Sequence, residues 1–268
     1  MPFTLDHRLP LSCFIIAVNE ADRISPVIES VIGWVDEVIV VDSGSTDGTQ
    51  QIAESLGARV IHHDWPGFGP QKRYGEDQCR NDWVLNLDAD EVMSDELIRE
   101  IVALFADGPP KHPFYRFRLR LVYPGDTRPR LWADYHNYVR LYDRRAGRFA
   151  DSLVHDTVQT GDIKPVQLRH DAWHYSYRSF GFLVEKLNSY SDLQAKSIKK
   201  QSRAMLLFRL PFEFPLAFMK YYLFRRHITG GRKGFAFATI NSFFRFLRIV
   251  KLLDAMESGN SETNSAVK

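Results

Sequence analysis

The sequence predicts an α/β fold: a mostly parallel sheet flanked by helices, followed by a basic helical appendage. Three observations point there. The first hundred residues contain four short apolar runs, amphipathic stretches separate them, and acidic residues close three of the runs. A chain of 268 residues is long enough for one domain plus an appendage, and 44% hydrophobic against 25% charged residues marks a folded core.

Strands are expected at 12–18, 37–41, 59–61 and 83–87. Between the first two, Ile24, Val27, Ile28, Val31 and Ile32 recur at helical spacing, with Pro26 tolerated in a first turn. A second helix over 47–56 stops at Gly57, and a third covers 71–79. A fourth follows Ser94, where Asp95 and Glu96 suit the positive end of a helix. Beyond the break between Gly108 and Pro113, residues 114–123 alternate apolar and basic side chains as a half-buried strand does. Shorter strands are expected at 138–142 and 166–173, with a turn over 144–147. From Arg178 the chain reads helical to about 258, and the Ser- and Asn-rich end is expected to be disordered. The predicted division is an α/β domain over 1–177, a basic helical appendage over 178–257 and a tail over 258–268.

Cys13 and Cys79 lack the dense spacing of a disulfide framework or zinc site, which fits a reducing compartment. The apolar run near the N-terminus is short and follows Asp6 and Arg8, unlike a secretory signal, so the expected location is the cytoplasm. Charge is uneven. Residues 196–251 hold thirteen Lys and Arg against one acid, Glu213, so that segment is +12; with +2 for the whole chain, the remainder is −10. The excess predicts an anionic partner. Arg209, Glu213, Lys220, Pro211 and Pro215 interrupt the apolar run 205–224, which excludes a spanning helix. Bulky apolar residues beside Arg225, Arg226, Arg232 and Lys233 suit a helix lying on an anionic membrane surface. A nucleic-acid reader would account for the basic excess but not for acidic strand ends, so no nucleic acid is expected.

In an open α/β sheet, ligands bind where loops leave the carboxyl ends of the strands. The first strand ends in Val18-Asn19-Glu20, the second in Val41-Asp42-Ser43-Gly44-Ser45-Thr46-Asp47-Gly48, and the fourth in Leu87-Asp88-Ala89-Asp90-Glu91. Crowded acids repel unless a cation or polar ligand compensates, and a divalent metal is the expected answer. Oxygen ligands such as Asp88 and Asp90 suit magnesium or manganese, which keep substrate phosphates in their shell.

These three pieces, in this order and spacing, resemble the inverting GT-A glycosyltransferases of family 2 over about residues 11–100. The resemblance implies that Asn19 and Glu20 line the nucleotide of a nucleotide-sugar donor, that Asp42 reads the base, and that Asp88 lies near the ribose and metal with Asp90 as metal ligand. A carboxylate can accept the imide N–H of uracil. The segment Trp65-Pro66-Gly67-Phe68-Gly69-Pro70-Gln71-Lys72-Arg73 is similar to one in the lipopolysaccharide core subgroup. There Lys72 would neutralise donor phosphate or hold the loop, and Arg73 stands where Asn is common.

In the second half, Ser152-Leu153-Val154-His155-Asp156 resembles the subgroup's Val-His-Glu segment, with Asp for Glu. Asp156 is the expected general base, with Asp151 and His155 as reserves. Trp173-His174-Tyr175 resembles the segment that places a His near the metal; His174 is the expected third metal ligand, and strand parity leaves His170 open beside it. The resemblance implies a UDP-sugar donor, glucose first, and a lipid-anchored core oligosaccharide as acceptor. Two other readings stay open: hexose transfer to a polyprenyl phosphate, and a nonenzymatic nucleotide-sugar or anionic-lipid binding module.

Overall fold

The computed structural model describes residues 3–152, 157–197 and 202–265. The chain falls into two compact units, Met1–Leu121 with Tyr135–Ser176, and Val122–Asp134 with Tyr177–Lys268.

In the first unit, β1 (Leu9–Ala17), α1 (Ile24–Val31), β2 (Val35–Asp42), α2 (Thr49–Ser55), β3 (Arg59–His62), α3 (Phe68–Gln78) and β4 (Trp83–Asp88) alternate. They are followed by β5 (Glu91–Met93), α4 (Asp95–Leu104), β6 (Phe114–Leu121), β7 (Tyr135–Asp143) and β8 (Val166–His174). The strands form one sheet in the order β3-β2-β1-β4-β7-β6-β8-β5. The first four are parallel, which requires the helical crossovers the sequence shows. β6 and β8 also run parallel, and β7 and β5 run against their neighbours, so the sheet is mostly parallel.

β1 is apolar on both faces because both are covered. Leu11, Cys13, Ile15 and Ala17 join one core cluster with Ile24, Val27, Ile28 and Val31 of α1. Phe14 and Ile16 join a second cluster with Val84, Tyr142 and Phe149. Helix α3 seats closely because two of its residues lack side chains. A Cβ on Gly75 would lie 2.7 Å from the Phe14 ring, and one on Gly69 would lie 2.3 Å from the Ala150 carbonyl oxygen. Ser94 caps α4 as its position suggests, its Oγ accepting from Leu97 N–H at 3.2 Å.

The second unit contains α5 (Phe180–Ser197), α6 (Arg203–Met219), a π turn at Lys220–Phe224, a 3-10 turn at His227–Gly230 and α7 (Gly231–Ser265). Leu206 of α6 packs with Ile249, Leu252 and Leu253 of α7. Buried Glu213 accepts from Arg209 Nη2 and from Arg245 Nε, both at 2.8 Å. Buried polar groups tie Val122–Asp134 into this unit: Tyr123 Oη lies 2.5 Å from His227 Nδ1, and Arg130 Nε donates to it at 2.9 Å. His227 Nε2 is 2.9 Å from Asp134 Oδ2, and Lys233 Nζ is 2.5 Å from Asp126 Oδ1.

Four features depart from the sequence reading. Strand β5 is an addition, β6 ends at Leu121 because Val122 already belongs to the second unit, and that unit therefore takes Val122–Asp134 as well as the residues after 176. Helix α7 also continues to Ser265, past the expected end near 258, as helices propagate more readily than they start.

Candidate active site

Strand register builds the site. Ile16 of β1 lies beside Asp88 of β4 and Ala17 beside Asp42 of β2, so these two acids close the strands on either side of β1 at one sheet edge. The loops above them are stitched together. Asn19 adopts φ 53°, its N–H donates to Ser45 Oγ at 2.8 Å, and its Oδ1 accepts from Thr46 N–H at 2.9 Å. Glu20 N–H donates to Thr49 Oγ1 and Ala21 N–H to Asp47 Oδ2. Asn tolerates the left-handed conformation better than other residues with side chains, which is a physical reason for Asn at that point.

Asp42 is fully buried. Its Oδ1 accepts from Gly44 N–H, Ser45 N–H and Gln50 Nε2 at 2.6–2.9 Å, and its Oδ2 accepts from the Ser45 hydroxyl. Burial opposes its ionisation, but these donors outweigh burial and hold the carboxyl below its usual range. In this arrangement Asp42 shapes the loop that carries Ser43 to Asp47.

Asp88 lies between two buried cations. Lys72 Nζ is 2.8 Å from its Oδ1 and Arg140 Nη2 is 3.0 Å from its Oδ2. Arg140 Nη2 also donates to Glu91 Oε1 at 2.5 Å, and its Nη1 donates to Asn86. Burial works against the Asp88 charge, yet Arg140 and then Lys72 hold the carboxyl well below the usual carboxylate range. Glu91 goes the other way: burial, with Asp88's charge adding and Arg140 opposing, pushes it up to about 7. The compensation that the sequence assigned to a metal is thus supplied at Asp88 by the chain's own Lys72 and Arg140. Lys72 is fully buried and also lies 5.5 Å from the Phe149 ring centre, so its ammonium supports Asp88.

Asp90 is held more loosely. β5 pairs with β8, Glu91 opposite His174, and Tyr175 N–H donates to the Asp90 carbonyl at 2.9 Å. This pairing sets His174 Nε2 3.4 Å from Asp90 Oδ1, while Arg23 Nη1 stands 3.4 Å from Asp90 Oδ2. Arg23 also donates to the Tyr175 carbonyl at 2.9 Å and to Glu20 Oε1 at 2.9 Å. Burial would raise Asp90's pKa, but His174 and then Arg23 outweigh it and lower it; burial would lower that of His174, but Asp90 outweighs it and raises it. His174 thus stands against Asp90, whereas His170 Nδ1 lies 2.9 Å from Glu100 Oε2 on α4.

His174 Nδ1 is buried and makes no hydrogen bond among the described residues, which a buried ring nitrogen rarely tolerates. A carboxylate at Asp90 and an imidazole at His174 are donors that fit magnesium or manganese. No three His, Cys, Asp or Glu side chains converge as a closed ligand cluster among the described residues. Magnesium uses one or two carboxylates with substrate phosphates rather than such a cage.

Asp156 and His155 lie outside the described residues; Asp151 is described and exposed. Two site residues were not found from sequence, Arg140 and Arg23. Arg140 stands between Val139 and Leu141, and Arg23 between Asp22 and Ile24; each reads as a solvated charge until the fold brings Asp88 to the first and Asp90 to the second.

The pattern of Glycosyl transferase family 2 matches residues 12–162. The chain is similar to an uncharacterized glycosyltransferase of Rickettsia felis, 42% identical over 92% of this chain and 90% of that one. It is also similar to the lipopolysaccharide core biosynthesis glycosyltransferase LpsC of Rhizobium meliloti, 29% identical over 91% of this chain and 92% of that one. Among solved structures, S. aureus TarS 1-349 aligns over 95% of this chain and 92% of its own at 15% identity, with a TM-score of 0.44.

Proposed function

The chain belongs to glycosyl transferase family 2, and from that premise we propose that it is a metal-dependent inverting transferase moving a hexose from a UDP-sugar to a hydroxyl of a lipid-anchored oligosaccharide. The observation that carries this reading is the single sheet edge at which Asp42 and Asp88 end their strands, with Asp90 in the turn just beyond Asp88 and His174 brought against it. Glucose is the sugar we favour, from the motif resemblance. The likeness to a lipopolysaccharide core biosynthesis glycosyltransferase supports an oligosaccharide of that kind as acceptor.

In this reading Asn19 and Glu20 line the nucleotide, and Asp42 holds the loop around the base and offers it a carboxylate. Asp88, kept ionised by Lys72 and Arg140, faces the ribose. Asp90 and His174 would hold magnesium or manganese, with Asp88 beside them. When bound, the ion supplies positive charge to the departing diphosphate. Asp156 takes the proton from the acceptor hydroxyl. That oxygen bonds to the anomeric carbon from the face opposite the diphosphate, the bond to the diphosphate oxygen breaks, and configuration inverts. The enzyme works in the cytoplasm at the inner face of an anionic membrane, where a lipid-anchored acceptor is found.

Asp90 is the residue to test. Asp90→Asn keeps the shape and removes the charge, so transfer from UDP-glucose to a membrane-extract acceptor should fall by about a hundredfold or more. Wild-type turnover should vanish in chelator and return with added magnesium or manganese. Full activity of the variant in chelator would refute the metal site.

A further inference from the structure

Helix α6 uses one side for packing and leaves the other bare. Leu206 and Ala217 are buried, whereas Met205, Phe208, Phe212, Leu216 and Met219 recur at steps of three and four residues and are all exposed, Phe208 to 73%. At 1.5 Å per residue, that stripe is roughly 20 Å long. A second apolar group lies in the same unit. Phe224 is 76% exposed, Ile228 50%, and the adjacent Leu131 and Trp132 66% and 56%.

These side chains are presented by a pinned backbone. Arg130 Nη1 donates to the carbonyls of Trp132 at 2.9 Å and Arg226 at 3.0 Å, and its Nη2 donates to that of Arg225 at 3.0 Å. Thr229 Oγ1 donates to the Leu131 carbonyl at 2.8 Å. Trp132 and Arg226 are both held at positive φ, 56° and 57°, a strained conformation for residues with side chains. The Arg226 guanidinium covers the Trp132 ring at 5.3 Å. The turn thus presents a half-exposed tryptophan in a fixed position beside a cation.

The charge nearby has one sign. Lys220, Arg225, Arg226 and Arg232 are exposed. The acids of the neighbouring segments are engaged: Glu213 by Arg209 and Arg245, Asp126 by Lys233, and Asp134 by His227. Lys233 is consequently not among the docking cations. A second copy laid against this face would set like charges opposite one another. No helix among the described residues is long and apolar enough to cross a membrane, so the stripe can lie in a bilayer surface but not span it. Trp and Arg at the protruding turn suit the headgroup level.

We propose that the outer stripe of α6 and the Trp132 turn form a docking face for an acidic phospholipid bilayer, with Phe208, Phe212, Leu216 and Trp132 entering the interface and Arg225 and Arg226 meeting the headgroups. This rests on the membrane element of the function proposed above and gives that element a surface.

The test uses the full chain and vesicles of phosphatidylcholine, alone or mixed with phosphatidylglycerol. The protein should sediment with the mixed vesicles and much less with neutral ones. The triple variant Phe208→Ser, Phe212→Ser, Leu216→Ser should lose binding to both. Arg225→Gln with Arg226→Gln should weaken binding to acidic vesicles about thirtyfold and remove most of its salt dependence. Thermal melting confirms that the variants fold, and their UDP-glucose hydrolysis in solution should match the wild type. Trp132→Phe should abolish quenching of tryptophan fluorescence by brominated lipid. Unchanged sedimentation of the triple and arginine variants would overturn the proposal, as would a wild-type dimer in vesicle-free solution that the triple variant dissociates. Vesicle binding without donor turnover leaves the docking face standing and removes the transferase reading; turnover without vesicle binding does the reverse.

Discussion

Asp88 stays ionised because Lys72 and Arg140 approach it from two different elements, α3 and β7, and both cations are buried. Removing one partner of a buried ion pair leaves an uncompensated charge, which costs more than the pair itself contributes. Arg140→Met would strip both Asp88 and Glu91 of their shared guanidinium. The expected loss is about 3 kcal/mol, at the low end of the range for broken buried pairs because Asp88 keeps some contact with solvent. Urea unfolding at neutral pH measures it, and a midpoint like that of the wild type would show Arg140 to be dispensable. At this scale the acids were legible in the sequence because they stand in short motifs at strand ends. Arg140 was not, since its partners Asn86, Asp88 and Glu91 lie 49–54 residues away and only the β4–β7 pairing joins them. His174 was legible through its segment, but its separation from His170 needed β5, a strand of three residues that no periodicity can announce.

Most helices and strands of the first hundred residues were legible because they carry an apolar run or period and a clear stop, as at Gly57, whereas α3 is mostly polar and β5 is only three residues long. The Gly-Phe-Gly segment was visible as a motif, but its reason was not: Gly69 lets α3 approach the backbone of Ala150 and Ser152, 81–83 residues further along the chain. In the second unit, α6 and α7 are clamped by Glu213 between Arg209 and Arg245. Burial raises the pKa of this carboxyl, but Arg209 and then Arg245 outweigh burial and lower it from 4.5. A depressed folded-state pKa contributes stability above the unfolded value and loses it as pH falls through the folded one. Wild type should therefore exceed Glu213→Gln in thermal stability at pH 7, with the gap closing as pH drops below about 4.5. A gap that stays constant from pH 7 to pH 3 would mean that Glu213 acts by packing alone.

On the scale of the whole molecule, the sequence reading places boundaries near 177, where the texture becomes helical, and near 257, where it turns rich in Ser and Asn. In the structure the second unit holds Val122–Asp134 together with the residues from Tyr177 onward, and sequence texture could not group the two because the contacts that join them are long-range. A fragment ending at Ser176 would lack the groups that bury Tyr123 and fix Arg130. Limited proteolysis of that fragment should cut within 122–134, while the full chain should resist there; equal resistance of both would show that this segment is ordered without the helices. The feature has a consequence for the making of the protein. Tyr123 precedes His227 by 104 residues, so at about 5–20 residues per second the growing chain carries this tyrosine for roughly 5–20 s before the ribosome has produced its histidine. During that interval the nascent segment is open to chaperones and proteases, and the second unit cannot close until the ribosome has passed His227.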